Sequence, residues 1–402
     1  MVDVENLVLL KSGDLLTGQH IRSLMESRSE ESTPWRRLQH VVFVMGLFHL
    51  KMACTDALWR LFIHPKLAKE DPCSLIKLVS QIRPKETGKI ESKPAYRQMH
   101  EVIQHVGIVL RLDAWRIIAS ERIDQSVDSL EAFAGMKPTW EVLVDLSHHL
   151  CRNYVTNTHE LSDMRRKPTG IRDHQHENVL IQHQYFLLYE EISYAMNYGD
   201  IGRIETLFLP WIWIFRSCGK HKYATEMRRY LENVHFIYPK GLSKAIRKNI
   251  LCNPTGKEGA FRAIDWLVEL NNLFTKHTHG GSYSNQEKNR IIEESLLIEV
   301  YRSVRVQLER MFGLDHRTTR HSLPDMTATF MKLAVYMKKE NTNKFMRGRK
   351  TNYNIPDAIS KGMNTMVTEG RGETALTTEE EEDWQGLDDE FAVEDEGDLS
   401  AI

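Results

Sequence analysis

The stretch LQHVVFVMGLFHLKMACTDALWRLFIH, residues 38–64, joins two different hydrophobic patterns at Gly46. Before this glycine, β-branched and apolar residues follow one another, which is typical of a strand buried on both faces. After it, apolar residues recur with the period of an α-helix until Pro65 ends the pattern. The stretch therefore predicts a buried strand that runs directly into a helix, as in an α/β core.

A second unit of this kind precedes it. ENLVLLKSGD, residues 5–14, is a short apolar run ended by Gly13 and Asp14, and it predicts a buried strand that turns at the edge of a sheet. TGQHIRSLMESR then predicts a helix that begins with a threonine cap at Thr17. Two strands are too few for a complete sheet, and the chain opens almost directly on the first. We therefore expect a fragment of a longer gene product that lacks upstream elements of the fold.

Most of the remaining chain has a helical pattern. Residues 66 to about 215 place apolar side chains at i, i+3 and i+4 spacing in one segment after another. The predicted fold class is α/β and predominantly helical, with a sheet core interrupted by a large helical insertion. The predicted regions are 1–65 as the first part of the core, 66–215 as the insertion, 216–335 as the helical remainder of the core, and 336–402 as a basic and then acidic disordered tail.

The charge of the chain is unevenly distributed. From Thr377 to Ile402 there are twelve Asp and Glu and no Lys or Arg, so removing these charges from the net −2 leaves +10 for the remainder. A basic body with an acidic tail suits a polyanionic partner, for which the tail competes. The alternative is a solvated surface with a solubilising tail. Residues 341–402 contain few large aliphatic side chains, which predicts disorder there.

Several classes of protein are disfavoured. No apolar run approaches the roughly 18–20 residues that a membrane span needs, and the first residues lack the basic start and the cleavage site of a signal peptide. The five scattered cysteines form no CxxC pair, which indicates reduced thiols. No nucleotide fingerprint or nucleophile elbow is present. We expect an intracellular protein, nuclear rather than cytoplasmic, without membrane association or a small-molecule cofactor.

A pair of carboxylates stands out on a later predicted helix. Asp265 and Glu269 are four residues apart, so both lie on one helix face. Like charges at this spacing repel, and a cation between them is therefore expected. One interpretation is a divalent metal ion. The other is a buried ion pair with Lys220, Lys222 or Arg262 that holds the helix in place.

Several segments carry a family resemblance, among them GDLLTGQHI, RPKETGKI, LPWIWIF and IDWLVELNN. Over roughly residues 5–330 the chain resembles a large, uncharacterised domain family from mushroom-type fungi, one of the families of unknown function. The order of its acidic residues also resembles that of cut-and-paste transposases with a ribonuclease-H-like core. In such enzymes three carboxylates hold two divalent metals that promote in-line phosphoryl transfer.

The transposase resemblance implies a site for Mg²⁺ or Mn²⁺. Asp14 matches the first carboxylate, and Asp265 or Glu269 matches the third. The second is not matched, because the chain has Gly-Leu-Phe-His at 46–49 where such enzymes place an aspartate. His49 and Asp56 are the candidate substitutes, although Mg²⁺ prefers oxygen ligands to imidazole. The competing interpretations are a turn aspartate for Asp14 and a satisfied core histidine for His49.

The segment GKHKYATEMRR, residues 219–229, mixes cations with an aromatic side chain. Basic residues beside aromatics suit contacts to a nucleic-acid backbone and stacking on bases. The alternative interpretation is a set of cations that interact with a helix end. The candidate nucleic-acid residues are Lys220, Lys222, Tyr223, Arg228 and Arg229.

Two functions are compatible with these patterns. The first is a transposon-derived DNA-binding or DNA-processing domain with a degenerate two-metal carboxylate site. The second is a non-catalytic helical scaffold or protein-interaction module in which the ion networks are structural.

Overall fold

The computed structural model describes residues 7–279, 287–313 and 325–370. Strands β1 (Leu9–Gly13) and β2 (Val41–Met45) form a parallel pair, connected by helix α1 (Leu15–Ser27). Both strands predicted from the sequence are therefore confirmed. A second, antiparallel pair joins β3 (Leu251–Cys252) to β4 (Arg262–Ala263).

The rest of the described chain is mainly helical, which confirms the predominantly helical α/β class. In chain order the further helices are α2 (Leu47–Phe62), α3 (Leu75–Ile82), α4 (Thr87–Ser92), α5 (Tyr96–Arg122), α6 (Leu130–Gly135), α7 (Trp140–Tyr154), α8 (Thr158–Arg166), α9 (His174–Asn197), α10 (Ile201–Ser217), α11 (His221–Glu232), α12 (Lys240–Asn249), α13 (Ile264–His279), α14 (Lys288–Glu294), α15 (Ile298–Met311), α16 (Thr327–Glu340) and α17 (Ala358–Gly370). A π-helical turn, Asn233–Ile237, lies between α11 and α12.

Helices α2, α5, α9 and α10 form the centre of the molecule. Helix α2 is apolar almost all round, as expected of a helix buried on most sides. One continuous hydrophobic cluster includes Leu50, Tyr185, Met227 and Ala358, which come from the four regions predicted along the sequence. The boundaries between those regions stay a prediction, but their apolar side chains share one core.

Two local expectations at the amino-terminal strand are corrected. Helix α1 begins at Leu15 and its N-cap is Asp14, whose Oδ1 accepts a hydrogen bond from the Thr17 backbone N–H at 2.7 Å. Thr17 is therefore inside the helix and is not the cap. Strand β1 is also not buried on both faces, since Leu9 is 55% exposed. Within the described residues β1 pairs only with β2, so a ribonuclease-H-like core stays a prediction.

The prediction that residues 341–402 are disordered is wrong for residues 341–370. Asn343 is buried, and its amide donates hydrogen bonds to the Leu110 carbonyl at 3.0 Å and to Asp113 at 2.8 Å. Asp173 accepts hydrogen bonds from the Met346 backbone N–H and from Arg349 Nε. Polar contacts thus hold a segment that has few aliphatic side chains. The acidic run after Thr377 lies outside the described residues.

Helix α17 packs closely on α10. A Cβ on Gly362 would lie 1.9 Å from the backbone oxygen of Trp213, so the two helices touch at a position that has room for no side chain. We expect Gly362→Ala to lower the free energy of unfolding by about 1–3 kcal/mol, because the helices must move apart. Gly88→Ala in α4 is the matched control, since a Cβ there meets no atom within 4 Å. Urea unfolding measures the stability of both variants. Equal stabilities of Gly362→Ala and Gly88→Ala would contradict the close packing.

His183, which is buried, and His100 and His176, which are partly buried, predict a loss of stability in acid. Burial, as the main cause, lowers the pKa of His100 to about 3 and the pKa values of His176 and His183 to about 4. The unfolded chain binds these protons near pH 6.5, so the free energy of unfolding falls from there down to about pH 4, by up to about 1.4 kcal/mol per pH unit for each histidine. Urea unfolding across this range measures the slope. The His183→Gln variant should show a shallower dependence of the free energy of unfolding on pH. An unchanged slope would show that His183 does not contribute to it.

Candidate functional site

The carboxyl ends of β1 and β2 meet the first turns of α2 and α13. Asp14 follows β1, His49 lies in the first turn of α2, and Asp265 and Glu269 lie on α13. The negative charges of all three carboxylates act on His49. The structure thus brings together four of the five candidate metal ligands, which are separated by up to 255 positions in the sequence.

Asp265 caps helix α2 although it belongs to another helix. Its Oδ1 accepts a hydrogen bond from the Phe48 backbone N–H at 3.1 Å, and its Oδ2 accepts one from the His49 backbone N–H at 3.0 Å. The N-cap residue of α2 is Gly46, which has no side chain to accept these bonds. A carboxylate at a helix N-terminus satisfies otherwise unpaired donors and interacts favourably with the helix dipole.

Gly46 allows Asp265 to approach this closely. A Cβ at Gly46 would lie 2.2 Å from Asp265 Oδ2, although the backbone φ of −70° is open to any residue. An aspartate at position 46 therefore cannot share the space with the carboxylate of Asp265.

His49 lies between the two helix carboxylates. Its Nδ1 lies 2.9 Å from Asp265 Oδ2, and its Nε2 lies 3.9 Å from Glu269 Oε1. Burial, the largest influence, lowers the pKa of His49, but the hydrogen bond to Asp265 and the charges of Asp265, Glu269 and Asp14 outweigh it. The pKa is therefore raised above its ordinary value, and the imidazolium is favoured. A cation was expected here from the sequence, but as a metal, Lys or Arg.

Asp56 does not join this cluster. It is buried, and its Oδ2 lies 2.8 Å from Arg60 Nε and 2.6 Å from Lys220 Nζ. Asp56 follows His49 by seven residues, which on a helix is roughly 10 Å along the axis. The side chain of Asp56 is thus committed to a separate buried ion network that links α2 to the start of α11.

The donor groups of the cluster do not fit a two-metal site. Both oxygens of Asp265 accept hydrogen bonds from N–H groups, Asp14 caps α1, and His49 Nδ1 faces Asp265. Divalent metals need carboxylate lone pairs that point toward one shared position. Within the part of the chain that the structure describes, no group of three or more His, Cys, Asp and Glu side chains is arranged to hold a metal ion. Mg²⁺ or Mn²⁺ stays a prediction.

The candidate nucleic-acid residues lie around α11, and three of their cations form ion pairs. These pairs are Lys220 with Asp56, Arg228 with Glu232 and Arg229 with Glu226. The Nζ of Lys220 also lies 5.8 Å from the centre of the Tyr223 ring, whereas Lys222 is exposed. The role of these five residues in binding nucleic acid stays a prediction.

The fold and the site define a mainly helical α/β protein with a partly buried carboxylate–imidazole cluster at a strand edge. Over residues 2–321 the sequence matches the model of DUF6589, a family of unknown function, and the chain belongs to that family. Comparison with curated proteins finds no match, and comparison with solved structures finds none either. Among the described helices, none is both long and apolar enough to cross a membrane.

The cluster predicts a pH-dependent effect of Asp265→Asn. The amide leaves one buried N–H without an acceptor, so we expect a loss of about 1–3 kcal/mol in the free energy of unfolding. Because the pKa of His49 is raised in the fold, its contribution is complete below about pH 6.5 and is lost as the pH rises through the folded-state pKa. The difference between the free energies of unfolding of wild type and variant, measured by urea unfolding, should therefore become smaller above about pH 6.5. A gap that does not change with pH would contradict a charged His49.

A double-mutant cycle tests the close approach at Gly46. Gly46→Ala is expected to cost about 1–3 kcal/mol in the wild-type background, because its methyl group meets Asp265. In the Asp265→Ala background that contact is removed, so the same change should cost less. We expect a coupling energy above about 0.5 kcal/mol. Additive effects would show that the two residues are independent.

Proposed function

We propose that this chain is a non-catalytic helical interaction module whose carboxylates at the strand edge hold the helices in place. One observation carries the proposal. Both oxygens of Asp265, a residue that is 1% exposed, accept hydrogen bonds from the first turn of α2. A carboxylate used in this way has little acceptor capacity left for a metal or a substrate, and releasing it would leave buried donors unpaired.

Other buried carboxylates of the helical body support the same proposal, because each is paired with a cation. Such pairs are costly to break once one partner is removed. Those of Asp56, Asp173 and Glu205 also connect segments that are distant in sequence. The pairs are Asp56 with Lys220, Asp113 with Arg116, Asp173 with Arg349, Glu177 with Arg172 and Glu205 with Arg247.

A second candidate function is a transposon-derived, nuclear DNA-binding domain of fungal origin whose metal site has been lost. Asp14, His49, Asp265 and Glu269 converge beyond the carboxyl ends of two parallel strands, where α/β proteins commonly place their sites. This location and the order of the acidic residues favour the candidate. The two candidates differ in that only the second has DNA as its stated partner. Neither of them involves metal-dependent cleavage.

Metal binding separates a structural cluster from a working site. We expect millimolar Mg²⁺ or Mn²⁺ to leave the melting temperature of the full-length chain unchanged, because a ligand that does not bind the fold does not stabilise it. Asp14→Asn should also leave stability within about 0.5 kcal/mol, since asparagine caps helices as well as aspartate does. Thermal unfolding measures both. A metal-dependent rise in melting temperature that Asp14→Asn abolishes would overturn the non-catalytic proposal.

Binding of double-stranded DNA separates the two candidates. The second candidate requires binding that weakens with salt, since phosphate contacts release counterions. It also requires that replacing Lys222, Arg228 and Arg229 with glutamine weakens that binding. Titration of the full-length chain with a labelled duplex at several salt concentrations measures this. No salt-dependent binding would favour the first candidate.

A further inference from the structure

A long stretch after α11 carries only positive charge. From Asn233 to Lys257 there are five Lys or Arg and no Asp or Glu, although the whole chain has 53 Lys plus Arg against 55 Asp plus Glu. The stretch contains the π-helical turn and helix α12. This local excess of cations is therefore a property of one segment and not of the composition of the chain.

Helix α12 presents a row of three lysines to solvent. Lys240, Lys244 and Lys248 are exposed and follow one another at four-residue spacing, so they lie along one helix face at intervals of about 6 Å. Leu242 and Ile246 point the other way and pack on the core. No ion pair joins these three lysines to any other residue that the structure describes. In this they differ from Lys220, Arg228 and Arg229.

Two large apolar side chains lie beside this row. Phe236 is 86% exposed and Ile237 is 66% exposed, and both belong to the π-helical turn. The turn is held by the Tyr238 backbone N–H, which donates to the Asn233 carbonyl at 2.7 Å, and by Asn233 Nδ2, which donates to the Tyr238 hydroxyl. π-helical turns are rare and are frequent at functional sites. The backbone therefore holds Phe236 out in solvent at the end of the lysine row.

We propose that α12 and the π-helical turn form a binding surface for single-stranded nucleic acid. Lys240, Lys244 and Lys248 contact successive phosphates, and Phe236 stacks on an unpaired base. Single-strand binding surfaces combine these two elements, a row of cations that follows the backbone and an aromatic face on which bases stack. An exposed phenylalanine can stack only on a base that is not already paired in a duplex, so the single strand is the better fit.

The same cations could attract an anionic membrane, but the structure favours nucleic acid. A helix that lies in a membrane interface inserts a broad apolar face. The apolar face of α12, which includes Leu242 and Ile246, is already packed inside the fold. Beside the lysines the helix also exposes Gly241 and Asn249, which contribute little apolar area. Phe236 and Ile237 alone are too few for such an insertion.

The inference rests on the proposed interaction module in that it names a class of partner for it. It does not involve Asp14, His49, Asp265 or Glu269. The metal and Asp265→Asn experiments can therefore fail while binding at α12 holds, and binding can fail while those experiments succeed. The two proposals are thus tested by separate measurements.

The test is fluorescence anisotropy of the full-length chain with labelled oligo-dT and oligo-U, measured over a range of salt concentrations. The triple variant Lys240→Gln, Lys244→Gln and Lys248→Gln should lower the slope of log affinity against log salt by about 2, since each lost phosphate contact accounts for about 0.7. Phe236→Ala should weaken binding roughly five-fold or more and leave that slope unchanged, because stacking is not ionic. The two oligonucleotides distinguish DNA from RNA as the source of the strand.

The matched control removes the same charge elsewhere. Lys66, Lys77 and Lys85 are exposed lysines elsewhere in the chain, and replacing them with glutamine should leave the affinity and the salt slope as in the wild type. If both triple variants weakened oligonucleotide binding equally, the proposal would be overturned. The oligonucleotide would then be attracted by the positive charge of the whole surface and not by α12. The proposal would also be overturned if neither oligonucleotide bound. It would likewise be overturned if the α12 lysines bound phosphatidylserine vesicles and no oligonucleotide. Unchanged melting temperatures confirm that the variants are folded.

Discussion

The hydrogen bonds from the first turn of α2 to Asp265 are the interaction on which the rest of the structure depends. Helix α2 lies at the centre and packs on α5, α9, α10 and α13. Its N-cap is a glycine, which has no side chain to accept hydrogen bonds from the partly buried N–H groups of its first turn. Asp265 satisfies two of these groups. The same contact fixes α13 against the carboxyl end of β1, so one carboxylate joins the strand edge to the helical body.

This constraint also decides what the cluster can do chemically. The Nδ1 of His49 lies 2.9 Å from Asp265 Oδ2, and the hydrogen bond to Asp265 and the surrounding carboxylates raise the pKa of His49. A carboxylate that caps a helix and also contacts an imidazole nitrogen has few lone pairs left for a metal ion. The acceptors of Asp265 bind the first turn of α2 and His49, and the carboxylate of Asp14 caps α1. The function proposed here follows from that arrangement.

The carboxyl-terminal segment shows that polar side chains can hold a part of the fold that composition would leave disordered. Residues 341–357 have few aliphatic side chains, yet Asn343, Asp173 and Arg349 connect this segment to α5 and α9. Each of these groups is satisfied only when both partners are in place. Composition measures the apolar surface that a segment can bury, and it contains no information on such pairings.

The sequence by itself determined the two strand–helix units, the predominantly helical class, and the position of Asp265 and Glu269 on one helix face. These depend on hydrophobic period and on side chains four residues apart, which are local properties. Only the tertiary structure decided that His49 lies between these two carboxylates and that Gly46 must lack a side chain. Those contacts join residues 216 or more positions apart along the chain, whose approach depends on how α13 packs on α2.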